Sequence, residues 1–500
     1  MRVQSDTYAP FPAVRRVTVN ASIEIVDTDA KANATAFSGD TVDGFGAEYT
    51  IDGVRDASGR YAALEHNAWA LDGSAAILSD GIGGWYYNSA AMSGEDTAFT
   101  DAPYIEFVFS ADASTIGWTL YFDDKSGQYP TEILVSWTDA DGNTMGSNTF
   151  TAAGVRQILE YPVSGYRSVK FEFVKTHMPM MRIHLCEVDF GITREFTENT
   201  VKEVCVSYGA DTASASLPVR QMRLVIDNHE REYNLLNPDG IYTYLEDGQP
   251  VRLSLSVDGE AVFMGAFSFT SASAQDGALT AEIVASDAVL ALDSVEFTAV
   301  NTEMTLSDAV SRVLDGYDIA VSYNGTAERK VRPAVSDGTS RREALRLLAQ
   351  AAMCAVWCDR DGILQFTPLD VAGAAVGSIT ADELYHYNGI SVTERVDAVQ
   401  LTVSNGVSGA KTVYTAGSGT NVKKVQNPCV VDGDAVAAWL LALYKRRKKY
   451  AVKNRCDPAV EIGDTITVTD AYGQNGNAVI TGIDVTYNGT LYATTKGVGA

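Results

Sequence analysis

Asp337-Gly-Thr-Ser-Arg-Arg-Glu-Ala-Leu-Arg-Leu-Leu-Ala-Gln-Ala-Ala-Met-Cys-Ala-Val-Trp-Cys-Asp-Arg-Asp-Gly-Ile-Leu-Gln-Phe-Thr-Pro368 reads as one short helix followed by one hairpin. Ser340 suits the N-cap, and Glu343 stands three residues later as its capping-box partner. Leu345, Leu348, Ala349 and Ala352 then recur at helical spacing. The turn Asp359-Arg-Asp-Gly362 joins two strand-like runs, 354–358 and 363–366.

Around this block the chain is mostly strand-like. Val17, Val19, Ala21, Ile23 and Ile25 alternate with polar residues, as a half-buried strand requires, and a loop-like stretch follows over 27–46. Short strands are expected at 105–109, 117–122, 132–137, 169–173 and 182–190, with turns such as Asp139-Ala-Asp-Gly142 between them. That rhythm fits a β-sandwich. Val251, Leu253, Leu255 and Val257 alternate into an Asp258-Gly259 hairpin turn, and Val262–Phe269 and 279–284 continue a meander. A helix capped by Thr305 or Ser307 runs through Leu314 to Gly316. Strands are expected at 392–403, 465–469, 478–487 and 491–494, with one helix over 433–444. The fold class is therefore mainly β with small α/β parts. Four domains are expected: a discontinuous β-barrel from 1–43 plus 196–295, an inserted sandwich over 44–195, a small α/β unit over 296–387, and a second barrel with one helix over 388–500.

Composition excludes several functions. The chain has 500 residues and a formal net charge of −26. A strongly acidic surface opposes phosphate, so no sequence-specific nucleic-acid binding is expected. The same charge would repel DNA from the lining of a DNA conduit. No apolar run is long enough to span a membrane, and the N-terminus lacks a signal-peptide core. Six scattered cysteines imply no disulfide framework, and the Cys354/Cys358 pair lacks a second pair at metal-ligand spacing. The five histidines show no ligand spacing either, so neither metal nor cofactor is expected. Asp123-Asp124 and the Glu187/Asp189 pair are the carboxylates nearest to a glycosidase pattern, but sequence alone does not set two of them across a cleft.

Larger motifs carry a resemblance. Leu217-Pro-Val-Arg-Gln-Met-Arg-Leu-Val-Ile-Asp-Asn228, Asn237-Pro-Asp-Gly240, Leu245-Glu-Asp-Gly-Gln-Pro-Val-Arg-Leu253 and Met264-Gly-Ala-Phe267 follow one another. Later come the helix-plus-hairpin block, Ala438-Trp-Leu-Leu-Ala-Leu-Tyr444 and Asp457-Pro-Ala-Val-Glu-Ile-Gly-Asp-Thr-Ile466. In this order they resemble the tail hub (baseplate hub) proteins of bacterial viruses. The resemblance implies a non-enzymatic homotrimer in the virion tail, made in the host bacterial cytoplasm. Its partners would be the distal tail or tail tube protein, the tape measure protein, and a tail fibre or receptor-binding protein.

The insertion has its own pattern: Ala68-Trp-Ala-Leu-Asp-Gly73, Ile82-Gly-Gly-Trp-Tyr86, Gly117-Trp-Thr-Leu-Tyr-Phe122 and Arg182-Ile-His-Leu-Cys-Glu-Val-Asp-Phe-Gly191. It is similar to galactose-binding-like jelly-roll modules. That similarity implies contact with a host cell-surface glycan, for which Trp69, Asp80, Trp85, Tyr86 and Tyr87 are the candidates; Trp118 and Trp137 read as core. A spacer role for the module stays open. So do two other readings of the whole chain: a glycan hydrolase with a binding module, and a spike-base protein of a contractile injection system.

One charge anomaly remains. Between Asn421 and Cys456 there are nine Lys/Arg against Asp432 and Asp434, and five are consecutive: Lys445, Arg446, Arg447, Lys448 and Lys449. They read either as a solvated helix end, where cations suit the dipole, or as a contact with an acidic subunit.

Overall fold

A computed structural model describes residues 8–12, 14–42, 45–53, 55, 86–124, 126–238, 240–275, 277–369, 374–385, 389–404, 410–469, 472–473 and 475–499. Two compact units emerge: Met1–Ser22 with Glu195–Pro238 and Pro250–Ala500, and Ile23–Arg194 with Asp239–Gln249.

The first unit is organised by one thirteen-stranded sheet. From one edge its path runs through Gly389–Val392, Lys448–Asn454, Leu491–Gly499 and Asn475–Tyr487. It then crosses to Val201–Gly209, Gln221–Asp227, Thr280–Ser286, Glu260–Ser273 and Pro250–Val257. The crossing is the antiparallel pairing of Val201–Gly209 with Asn475–Tyr487, from Val204 opposite Tyr487 to Gly209 opposite Gly482. Two stretches expected as separate barrels thus share one sheet. Hydrogen bonds between distant segments leave no trace in local periodicity, so the sequence placed a boundary where the backbone makes a ladder.

The helix-plus-hairpin block forms largely as its local signals dictate. The helix is Arg341–Ala351, and Ser340 Oγ accepts from Glu343 N at 3.2 Å. The reciprocal half of the expected capping box is missing, because the Glu343 carboxylate pairs with Arg346. The hairpin strands are Ala355–Cys358 and Leu364–Thr367. In the turn, Asp359 Oδ1 accepts from Asp361 N and Ile363 N at 2.9 and 3.0 Å, and Gly362 takes φ +82°. Arg360, within this turn, is only 3% exposed. It donates to the carbonyls of Pro458 and Val460 and lies 5.0 Å from the Tyr208 ring centre. Backbone carbonyls and an aromatic face together compensate a buried guanidinium.

A second correction concerns the boundary read at 387. Leu306, Val310 and Val313 of the Leu306–Val313 helix share one core with Leu345 and Leu348. The same core takes in Val399 and Leu401, and Val436, Leu440 and Leu443 of the Gly433–Tyr444 helix. That helix therefore packs with the α/β part. So does a three-stranded sheet of Ala398–Ser404, Lys411–Gly417 and Val422–Gln426, two strands of which the sequence reading missed.

The second unit is a sandwich built on a seven-stranded sheet. Ala34–Gly39, expected as loop, is one of its strands and pairs with Tyr104–Phe122. The expected strands 105–109 and 117–122 merge into one long strand, Tyr104–Phe122, and the expected strand 169–173 is the end of a second long one, Arg156–Thr176. Their mutual register shifts between Val108 and Ala113 and again between Thr115 and Gly117. Such bulges bend a strand enough to serve two layers. Gly117 sits at φ +155°, where a Cβ would lie 2.4 Å from Leu159 O. Trp118 and Trp137 are buried as expected, their ring centres 5.9 Å apart, and Phe107, Phe171 and Phe190 complete the aromatic core.

Ile483 lies opposite Tyr208 in the crossing pair and is 4% exposed. Replacing it by Ala should cost about 2–5 kcal/mol of the first unit's stability. Urea unfolding should show a lower midpoint at unchanged slope. An unchanged midpoint would mean that the crossing does not carry the sheet.

Candidate functional site

The glycan candidates divide. Trp69, Asp80 and Trp85 lie outside the described residues. Tyr86 is 6% exposed and packs with Cys186. Tyr87 is fully buried, its ring centre 5.9 Å from that of Phe173. A sugar stacks on an aromatic face that water can reach, so the burial of Tyr86 and Tyr87 corrects their assignment: they are core residues. Both follow the Gly-rich run Gly81-Ile-Gly-Gly84, which carries no apolar alternation to mark them as core.

Glu187 and Asp189 do meet on one face of the His184–Asp189 strand, but not as a hydrolase pair. Lys31 Nζ donates to both Glu187 Oε1 and Asp189 Oδ1, the second contact at 2.8 Å. Arg55 pairs with Asp189 Oδ2 and Glu24 Oε2, each at 2.8 Å, and its guanidinium lies 5.1 Å from the Tyr121 ring centre. Gly53 N adds a hydrogen bond to Glu187 Oε1 at 3.1 Å. Cations thus occupy the space where a glycosidase holds its substrate. The cluster fastens Gly53, Arg55 and the helical turn Ala30–Asn33 to the strand. Glu187 Oε2 is buried without a hydrogen-bond partner. Burial lifts the Glu187 carboxyl to about 7 against the pull of Lys31. On Lys31, burial opposes the charge, yet Asp189 and Glu187 together hold the ammonium above the ordinary lysine range.

Among the other candidates, Asp123 is buried 3.5 Å from His184. His177 stacks on Tyr129 at 3.9 Å, and His229 Nδ1 meets Asp227 at 3.1 Å; His66 and His386 lie outside the described residues. No cluster of His, Cys, Asp and Glu among the described residues could hold a metal ion. Cys354 and Cys358 are buried thiols, both pushed up by burial, Cys354 to about 12. No helix among the described residues is long and apolar enough to cross a membrane.

The basic run is not one helix end. The helix stops at Tyr444 with Lys445 as its C-cap, and Lys448–Asn454 is a strand of the large sheet. Lys445 and Lys448 are exposed, whereas Arg446, Arg447 and Lys449 are half-buried. Arg446 Nη1 donates to Leu369 O at 3.1 Å and Arg447 Nε to Thr393 O at 2.7 Å. The alternation of a strand, missed in the sequence, separates Lys448 from Lys449. Lys449 borders a cavity of about 510 Å³ with Arg446, Lys423, Asp211 and Glu394.

No known family model matches the chain, and no curated protein is similar to it in sequence. Solved structures are. The tail protein from Neisseria meningitidis MC58 is similar over 61% of this chain and 93% of its own, at 15% identity and a TM-score of 0.45. The 43 kDa tail protein of prophage MuSo2 from Shewanella oneidensis is similar over 61% of this chain and 95% of its own, at 14% identity and a TM-score of 0.42. The family 32 carbohydrate-binding module of C. perfringens NanJ, solved with galactose, covers 35% of this chain and 99% of its own, at 8% identity and a TM-score of 0.22. Phage tail proteins and sugar-binding modules are thus what two parts of the chain resemble.

The Glu187 carboxyl makes stability depend on pH. Its folded value is raised from the 4.5 of an ordinary glutamate to about 7, so the folded state holds the proton longer. The resulting stabilisation is fully present below the unfolded value and is lost as pH rises to about 7. Thermal melts of the second unit should therefore fall over that window and level off above it, and Glu187→Gln should remove this slope. Parallel pH profiles for the two proteins would assign the slope to another group.

Proposed function

We propose that the chain is a structural subunit of a phage tail, the hub at the distal end of the tail tube, where three copies form a ring that continues or closes the DNA channel. The observation that carries this reading is the single sheet knitted from 201–286 and 448–499, with the helix-plus-hairpin block locked to it through Arg360. The stretches whose order resembles tail hubs are the ones that this sheet and the adjoining α/β core bring together. A large sheet with edges suits a ring, because an edge strand leaves peptide groups for a neighbour to cover. Gly389–Val392 is such an edge, all four of its residues exposed. The charge of −26 suits a lining that must not hold DNA. Lys445, Arg446, Arg447, Lys448 and Lys449 would meet an acidic surface of the adjacent subunit or of the tube protein stacked on it. The distal tail, tape measure and receptor-binding proteins are the other neighbours this position implies.

The sandwich is read as a host-glycan contact or a spacer. With Tyr86 and Tyr87 in the core, the glycan reading falls to Trp69, Asp80 and Trp85.

Negative-stain images and light scattering of the purified chain should show trimeric rings with pseudo-sixfold outline, two strand-rich segments being contributed per copy. A monomer at micromolar concentration, together with particles whose tail tips lack the chain, would overturn the assignment. On a glycan array the full-length chain should bind a subset of sugars, and Trp85→Ala should reduce that signal at least about tenfold, the usual weight of a stacked aromatic anchor. Retention of the full signal in that variant would remove Trp85 from the site.

A further inference from the structure

In the first unit, the basic run, the strand Val422–Gln426 and the loop after Val201–Gly209 surround the cavity of about 510 Å³. Lys423 enters from Val422–Gln426, Arg446 from the turn after the helix, and Lys449 from the strand Lys448–Asn454. Three cations from three separate segments converge on one concave space. Two carboxylates also line it, but both are engaged locally. Asp211 Oδ1 accepts from Ala213 N at 2.9 Å, closing its own turn. Glu394 Oε1 accepts from Asn421 Nδ2 at 2.8 Å. Neither Lys423 nor Lys449 reaches a carboxylate within salt-bridge distance among the described residues.

The surroundings of Lys449 make this arrangement unusual. Burial pulls its ammonium below the ordinary lysine range, and Asp211 recovers only part of the loss. A half-buried cation without a close counter-ion is poorly compensated, and an incoming anion would compensate it. Lys423 lies 5.9 Å from the Tyr444 ring centre, so the wall beside the cations is aromatic as well as charged. Lys445 and Lys448 do not line the cavity, so the run splits into residues that face it and residues that do not.

We propose that this cavity receives an acidic peptide segment: a Glu- or Asp-bearing loop of a neighbouring protein subunit sets its carboxylates against Lys423, Arg446 and Lys449. The volume accommodates a few side chains rather than a folded surface, so the partner contributes an extended tip. The identity of that partner as a tail neighbour rests on the hub reading; the chemistry of the cavity does not. Arg446 and Lys449 are half-buried and Lys423 is exposed, so the inner part of the site differs from a diffuse basic patch, because screening by salt reaches it less.

Fluorescence anisotropy with labelled hexaglutamate peptide and full-length protein tests this, with hexaglutamine peptide and free glutarate as the other arms. Hexaglutamate should bind at low ionic strength and hexaglutamine should not. Lys449→Gln and Lys423→Gln, on different strands, should each weaken binding at least about tenfold, the scale of losing one charged partner. Lys449→Arg should retain it. Lys424→Gln removes the same charge from the neighbouring residue, which does not line the cavity, and should change binding less than about twofold. Equal weakening by Lys424→Gln would reduce the effect to net charge and overturn the proposal, as would the absence of hexaglutamate binding. Glutarate displacing the peptide at equal concentration would make the site one for free dicarboxylates, which also overturns it. Because the titration reads the dispersed chain, it separates this proposal from ring formation.

Discussion

The backbone pairing of Val201–Gly209 with Asn475–Tyr487 is the constraint on which the first unit depends. It joins segments whose residues lie more than 270 positions apart, so its formation closes a very long loop. Loop closure grows only slowly with length, and the ladder's six register positions, backed by Val204, Val206, Ile483 and Val485 in the core, offset it. Once that pair is made, the strands on either side have no choice of neighbour. Gln221–Asp227 must lie on one flank and Leu491–Gly499 on the other. Arg360 then becomes a second lock. It takes the carbonyls of Pro458 and Val460 while its ring partner Tyr208 belongs to the crossing strand itself.

The second unit solves a different problem. Two very long strands must be curved without losing their hydrogen bonds. The register shifts near Ala113 and Gly117 do this locally, and Gly117 is required because Leu159 O occupies the place of a side chain. On the side of the His184–Asp189 strand where the aromatic core is absent, a charge cluster replaces it. Glu24, Glu187 and Asp189 are three carboxylates served by two cations; burial is the main reason Glu187 keeps its proton so readily, and the charge of Asp189 adds to it. Such a cluster adds little net stability over apolar packing, but it specifies which residues must meet.

What the sequence revealed and what it hid follow from range. Ser340 capping a helix, the Asp359–Gly362 turn and the Asp258–Gly259 hairpin were legible because their energetics lie within a few residues. The strand at 411–417 was not: most of its residues are exposed, so it shows no apolar alternation. Lys448–Asn454 was hidden by its cations, and Ala34–Gly39 by its small and polar residues. Domain limits failed for the same reason as the crossing pair. A shared core containing Leu345, Leu401 and Leu440 is visible only after the chain has folded. At the candidate site, composition found the basic run, but only the strand's two-residue period separates Lys448 from Lys449.

Electrostatics ties these features together. A chain at −26 repels copies of itself at long range, so any assembly it enters must gain from short-range contacts that outweigh this. Concentrating cations in a concave site achieves that. A convex basic patch would be screened and would accept any acidic surface, whereas a cavity admits only a segment of the right shape. The half-buried Lys449 has already lost part of its hydration in the free chain, so less remains to be removed when a carboxylate arrives. On the proposed reading, an acidic protein that gathers three cations in one small cavity would discriminate by shape among partners that charge alone would not distinguish.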